Sequence, residues 1–223
     1  MPAPRRYRNI SDLPAIIPVF PLTGVILLPR TKLPLNIFEP RYLAMVDAAM
    51  DHYRLIGMIQ PRGPGSDKMK NPPLASVGCV GRITDYSETD DGRYLITLTG
   101  IARFQVSGER DSRTPYREVA ADYALFAGDL LSTEDPPIAR DRLLAALKPY
   151  LSDRAMQTDW KSIEEAPSET LVDALCMLCP FEPSEKQALL EAPDLVRRSD
   201  ALIALLEMAN ASAMPSGGTP SVN

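Results

Sequence analysis

The segment Gly92–Val106 reads GRYLITLTGIARFQV and alternates along its length between apolar and polar side chains. One parity holds Tyr94, Ile96, Leu98, Ala102, Phe104 and Val106, and the other holds Arg93, Thr97, Thr99, Arg103 and Gln105. A period of two places the first set on one face of a strand and the second set in water. This segment therefore predicts a long strand with one buried face.

The flanking sequence extends this strand into a sheet. Thr89–Gly92 (TDDG) has the small, turn-forming residues of a hairpin, and Val77–Ser87 supplies the partner strand. Within that partner, Gly78 and Gly81 indicate a bulge or a tight barrel corner. Further β-type runs lie at Ile16–Phe20, Val25–Leu28, Leu55–Ile59 and Val119–Leu125. Together these runs predict a sheet that curls into a small barrel.

Helical patterns occupy the rest of the chain. One helix is predicted within the β-rich half, at Pro40–Tyr53. After Ser132 the apolar period becomes 3.6, and helices are expected from about Ala139 to Tyr150 and at Ser168–Leu178, Pro183–Glu191 and Asp194–Ala209. The fold class is therefore α+β. We expect an N-terminal arm at 1–15, a β-rich subdomain at 16–127, a helical subdomain at 128–211 and a disordered tail at 212–223.

Composition and charge limit the function classes. The 223 residues carry a net charge of −5, divided into +3 over residues 1–127 and −8 over residues 128–223. A protein that follows a phosphate backbone normally concentrates a larger positive excess, so nucleic acid is an unfavoured partner. No apolar run reaches the length of a membrane span, and prolines interrupt the N-terminal region where a signal peptide has its apolar core. We expect a cytoplasmic protein without a membrane partner.

Catalytic and metal-binding motifs are missing from the sequence. It contains no GxxxxGK[ST] phosphate loop, no GxGxxG and no GxSxG. The single histidine, His52, excludes multi-histidine metal sites and is expected at a helix end on the surface. Cys176 and Cys179 form a CxxC at the end of an apolar helix, which favours two small buried residues over a metal or redox pair. The sequence thus predicts no catalytic residue, no metal and no cofactor.

Several segments resemble the N-terminal substrate-binding domain of the Lon protease family. The opening strings are IPVFPL at Ile17–Leu22, VILLP at Val25–Pro29 and LPLNIFEPRYLAMV at Leu33–Val46, of which LPLNIFEPRY is the most distinctive. The resemblance continues through RLIGMIQP at Arg54–Pro61, GCVGRITDYSE at Gly78–Glu88 and DGRYLITLTGIARFQV at Asp91–Val106. It ends with EKQALLEAPDLVRRSDALIALLEM at Glu185–Met208. These strings occur in one order and cover about Ile16 to Met208.

This resemblance implies a PUA-like pseudobarrel followed by a helical bundle. In the full protease the domain precedes an ATPase module and a peptidase module, which have no counterpart in this sequence. Neither activity is therefore expected, and the chain is expected not to be an enzyme. What the resemblance does imply is recognition of unfolded or specific polypeptide clients, with a protease or a chaperone as partner.

The candidate client-binding residues are Leu28, Leu33 and Leu35, within LLPRTKLPL at Leu27–Leu35. Pro29 and Pro34 are expected to block ordinary ladder pairing, so this segment can present leucines to a client, with the loop 61–73 alongside as a mobile neighbour. The alternative is that the leucines fill the barrel core. Strand addition to an open sheet edge is a further route.

Two other function classes stay open on the sequence alone. An RNA-binding module is the main alternative because relatives of the pseudobarrel bind RNA, and a basic patch on the barrel would favour it. An unrecognised enzyme would require a deep polar pocket around His52.

Overall fold

The computed structural model describes residues 7–63, 65, 69, 71–111, 113–131, 136–154 and 159–213. Six strands are present in these ranges: β1 (Ile16–Pro21), β2 (Lys32–Ile37), β3 (Leu55–Ile59), β4 (Val77–Glu88), β5 (Tyr94–Arg110) and β6 (Arg117–Asp122). The helices are α1 (Pro40–Asp51), α2 (Arg140–Asp153), α3 (Trp160–Glu165), α4 (Ser168–Leu178), α5 (Pro183–Glu191) and α6 (Leu195–Ala213). Short 3-10 segments lie at Ile10–Asp12 and Ala124–Leu130. Mixed strands and helices confirm the α+β class.

The six strands form one sheet that closes on itself. Their order is β2-β5-β4-β3-β1-β6, and an additional pairing joins β6 back to β5. Strand β5 is 17 residues long. Its first half pairs with β2 and its last part with β6, while β4 pairs along most of its length. Five strands thus complete a ring, and β2 lies outside that ring beside the first half of β5.

Burial confirms the predicted alternation in β5 for its apolar set but corrects it for Arg103, which was expected in water and is 4% exposed. Ile96, Leu98 and Phe104 are buried, whereas Leu95 is 45% exposed. The register of β4 against β5 shifts between Val80 and Gly81, one of the two glycines that indicated a bulge. Register shifts of this kind bend a strand and increase its twist, which allows one long strand to serve two parts of a closed sheet.

The barrel core surrounds the ring of Phe104. An ideal Cβ on Gly78 would lie 2.6 Å from Phe104 Cζ, so the aromatic ring occupies space that only a glycine leaves free. Buried Ile17, Val19 and Val119 complete this cluster from the neighbouring strands. The core therefore depends on a few glycines that face one large side chain.

A buried ion pair attaches the 3-10 segment Ala124–Leu130 to β5. Arg103 is 4% exposed, and its Nη2 donates to Asp129 Oδ1 at 2.8 Å while its Nε donates to Oδ2 at 2.9 Å. The Arg103 backbone N–H also donates to Oδ2 at 2.9 Å, and its guanidinium lies 4.4 Å from the ring centre of Phe126. Asp129 thus satisfies three buried donors.

The chain divides into two compact units that are not contiguous in sequence. The first contains residues 1–134 and 173–191, and the second contains residues 135–172 and 192–223. Helix α5 contacts β4 in the first unit, and α2 packs on α6 in the second. One helical subdomain was predicted over residues 128–211, whereas residues 173–191 belong to the unit that contains the sheet.

Several element bounds also differ from the sequence prediction. Residues 25–28 are not in a strand, although 26–28 are buried, and the strand lies instead at Lys32–Ile37, where prolines were expected to prevent pairing. Strand β6 ends at Asp122, before Tyr123 and an exposed Leu125. Helix α3 was not predicted. Helix α6 extends to Ala213, and residues 214–223 of the predicted tail, like residues 1–6 of the predicted arm, lie outside the described residues.

Candidate functional site

The three predicted leucines do not share one environment. Leu28 is 0% exposed and belongs to the core, so its place in an exposed patch must be corrected. The reason is a tight turn, in which Thr31 N–H donates to Leu28 O at 3.2 Å and Arg30 adopts φ 66° after Pro29. This turn directs Leu28 inward and starts β2 immediately afterwards.

Leu33 and Leu35 are half-buried and line a groove. They stand in β2 opposite Leu98 and Ile96 of β5, which are buried. The groove has a volume of about 670 Å³, and its other walls come from the end of β1, the start of α1 and residues 115–117. This volume lies within the range of ordinary ligand sites.

Aromatic side chains from β1 and α1 also line the groove. Phe20 and Tyr42 are both nearly buried, and their ring centres lie 4.3 Å apart. Burial raises the pKa of Tyr42 above its ordinary value, so its phenol stays neutral. Phe38 also lines the groove and is 63% exposed. Large apolar side chains from separate elements thus line the same opening.

Each arginine that lines the groove has a glutamate partner. Arg41 Nη2 lies 2.8 Å from Glu39 Oε2, and the Arg41 guanidinium also lies 4.5 Å from the ring centre of Tyr42. Arg117 donates from Nε and Nη2 to the two carboxylate oxygens of Glu109, at 2.6 Å each, and these bonds lower the pKa of Glu109. The charges of the groove are therefore largely neutralised, and polar and apolar atoms both contribute to its surface.

Arg117 also connects two walls of the groove. Its Nη1 donates to the carbonyl of Pro72 at 2.7 Å, which attaches the end of the loop 61–73 to β6. Residues 64, 66–68 and 70 of that loop lie outside the described residues, so its predicted mobility stays a prediction. Phe20, Tyr42 and Arg117 were not connected with the site by sequence reasoning, because they come from three elements that only the fold brings together.

A second cleft lies beside α5 and has a volume of about 620 Å³. Its floor holds Gln60, which is 2% exposed. The Gln60 amide nitrogen donates to Pro183 O at 2.9 Å and Gln187 Oε1 at 3.1 Å, and its oxygen accepts from Gly24 N–H at 2.8 Å. Because the buried amide is already bonded within the protein, it is occupied and holds the wall of this cleft in place.

His52 is the exposed C-terminal cap of α1, as predicted, and it borders a cavity of about 220 Å³. Tyr53, Arg110 and Glu118 also line this cavity, and its described lining contains no serine, threonine or cysteine that His52 could activate.

The cysteine pair lies inside the protein. Cys176 and Cys179 are 0% and 1% exposed, in agreement with the interpretation as small buried residues. In the part of the chain that the structure describes, no three His, Cys, Asp or Glu side chains are grouped so that they could hold a metal ion. None of the described helices is both long and apolar enough to cross a membrane.

Comparison with known proteins identifies relatives that carry the same domain. The chain is 26% identical to Lon protease of Erwinia amylovora over 196 residues, and 24% identical to Lon protease of Escherichia coli K12 over the same length. It is 26% identical to Lon protease 2 of Myxococcus xanthus over 212 residues. These matches cover 86%, 86% and 92% of this chain, but only 24%, 24% and 25% of the relatives. The chain thus spans about a quarter of their length.

Two solved structures share the fold. The crystal structure of a Lon N-terminal domain protein from Xanthomonas campestris has a TM-score of 0.61 at 22% identity, over 85% of this chain and 97% of that chain. The N-terminal domain of Mycobacterium avium complex Lon protease has a TM-score of 0.61 at 16% identity, over 88% and 98%. The profile of the ATP-dependent protease La (Lon) substrate-binding domain matches residues 16–208. The chain therefore belongs to the Lon substrate-binding domain family.

Proposed function

We propose that this chain is a non-catalytic polypeptide-recognition module that binds apolar segments of unfolded proteins in the groove beside β2. The observation that carries the proposal is that half-buried Leu33 and Leu35 line one groove of about 670 Å³ together with the aromatic rings of Phe20 and Tyr42. The membership in a substrate-binding family supports the same function. The barrel is a PUA-like pseudobarrel in this proposal.

The role of the module is to present clients to a protease or a chaperone as an adaptor or regulator. Paired charges and apolar walls suit a neutral client better than an anionic one, since buried apolar area supplies the driving force. No observation favours the RNA-binding alternative, and no catalytic constellation surrounds His52 in the described residues.

The test is binding of fluorescein-labelled β-casein, an unfolded polypeptide, measured by fluorescence anisotropy. The double substitution Leu33→Ser, Leu35→Ser should weaken binding by at least about tenfold, because two half-buried leucines lose most of their apolar area. The matched control is Leu125→Ser, since Leu125 is 70% exposed and does not line the groove. Urea unfolding checks that both variants are folded. Equal affinity of the double variant and the wild type would refute the proposal.

A further inference from the structure

Strand β2 is the edge strand of the sheet. It pairs with β5 on one side, and none of the other described strands pairs with its second side. Pro34 and Asn36 of β2 also line the groove. The open side of β2 and the apolar groove are therefore parts of one surface.

The backbone alternation of β2 shows which groups point to the open side. Gly100 N–H donates to Thr31 O at 2.9 Å, so the carbonyl of residue 31 points to β5 where the ladder begins. In an antiparallel pair such positions recur at every second residue, so Leu33, Leu35 and Ile37 direct their N–H and C=O groups to β5. Lys32, Pro34 and Asn36 direct theirs to the open side. This arrangement explains why Pro34 is tolerated: the N–H that it lacks would have pointed away from the ladder.

We propose that the client binds as an added antiparallel β-strand along the open side of β2. This inference rests on the proposed function and specifies its binding mode. The carbonyls of Lys32, Pro34 and Asn36 accept hydrogen bonds from the client backbone, and the N–H groups of Lys32 and Asn36 donate to it. Side chains of neighbouring strands that stand opposite each other share a face, so client residues opposite Leu33 and Leu35 enter the groove.

This geometry defines the class of client. It is an extended segment with apolar residues at every second position, since only alternate side chains face the groove. The intervening residues face solvent and can be polar. Because Glu39 and Glu109 already neutralise the groove arginines, charge complementarity favours an uncharged segment.

A second copy of this chain is a poorer occupant of the same edge. In an antiparallel β2–β2 pair centred on Pro34, two prolines would face each other and neither could donate. The exposed Lys32 on each copy further discourages edge-to-edge association. The edge is also short, about 20 Å at about 3.3 Å per residue, and a strand of that length buries far less than the roughly 1,200 Å² of a stable dimer interface.

The experiment uses a labelled synthetic peptide of about ten residues in which Val, Leu and Ile alternate with Thr and Ser. Two isomers are N-methylated, one at three polar positions and the other at three apolar positions. In the proposed pose the polar residues direct their N–H groups to β2, so the first isomer should bind at least about tenfold more weakly, while the second should bind nearly as well as the parent.

Equal effects of both isomers on affinity, or no effect of either, would overturn strand addition without contradicting the proposed function. Failure of both the parent peptide and β-casein to bind would refute the two proposals together.

A pair of variants tests the same bonds from the protein side. Asn36→Pro removes one outward N–H without removing a ladder bond, whereas Asn36→Ala keeps the N–H and removes only the exposed side chain. We expect Asn36→Pro to weaken peptide binding about three- to tenfold and Asn36→Ala to leave it nearly unchanged. Equal loss in both variants would contradict the inference. Light scattering that shows a dimer which Asn36→Pro dissociates would also overturn it, because the edge would then belong to a second copy.

Discussion

At Gly100 the backbone of β5 passes so close to residue 28 that an ideal Cβ would lie 2.0 Å from Leu28 O. The same glycine accepts from Arg30 N–H at 2.8 Å and donates to Thr31 O at 2.9 Å. One residue without a side chain therefore fixes the turn that precedes β2. The position of the groove depends on this contact, although Gly100 does not line the groove itself.

Gly100→Ala should destabilise the protein by at least about 2 kcal/mol, because a backbone carbonyl cannot move aside as the end of a flexible side chain can. The control is Gly108→Ala in the same strand, where nothing lies within 4 Å of an ideal Cβ and φ is not positive. It should change the free energy of unfolding by no more than about 0.5 kcal/mol. Urea unfolding measures both values, and similar stabilities for the two variants would contradict the close-contact argument.

Individual residues were predicted with unequal success, and the reason is local geometry. The period of two in β5 correctly assigned Ile96, Leu98 and Phe104 to the core, because strand parity alone decides their face. Parity could not assign Leu28, which lies in a turn where Arg30 adopts φ 66°. That conformation normally favours glycine, and the sequence offers none there. The burial of Leu28 therefore followed from the fold and not from any local pattern.

At the scale of elements, the rule that proline disfavours strand pairing is correct, but it led to a wrong assignment of the segment that forms β2. Proline does lack the donor that a ladder requires, which is why Pro34 argued against a strand. An edge strand needs only every second N–H, however, and Pro34 occupies a position whose N–H would face away from β5. The exception requires knowledge of which strand is at the edge. Sequence patterns gave the strands around it but not their order.

The 3-10 segment Ala124–Leu130 depends on Asp129, and this supports a second stability prediction. Asp129→Ala removes the carboxylate that binds the Arg103 guanidinium, which is 4% exposed, and the Arg103 backbone N–H. We therefore expect the free energy of unfolding to fall by about 3–5 kcal/mol. The matched control is Glu207→Ala, which removes a two-bond arginine–glutamate pair of similar geometry on the surface. It should leave the urea midpoint almost unchanged because solvent replaces the lost bonds. A small effect at Asp129 would show that the buried pair contributes little to the fold.

At the scale of the whole molecule, the order of the motifs along the chain was more informative about the family than the chemistry of any single motif. The segments from IPVFPL to the helical end at Met208 occur in one order, and the family profile matches residues 16–208. The family and the α+β fold class could thus be predicted from the sequence. The groove could not, because its walls come from β1, β2, α1 and residues 115–117, which are far apart along the chain. Only the closed sheet brings them to one opening.

The whole-molecule charge supports the last prediction, which separates polypeptide recognition from RNA binding. The chain carries −5 overall, with only +3 over residues 1–127, and the groove arginines are occupied by Glu39 and Glu109. A labelled single-stranded RNA should therefore show no saturable anisotropy change at about 150 mM salt and protein concentrations up to about 10 µM. Binding of β-casein in the same buffer should vary little with salt, since apolar burial drives it and few counterions are released. The opposite result would be an RNA complex with a Kd below about 1 µM that weakens steeply with salt and displaces β-casein. That result would reverse this assignment, because phosphate contacts would then dominate the surface that we assign to apolar clients.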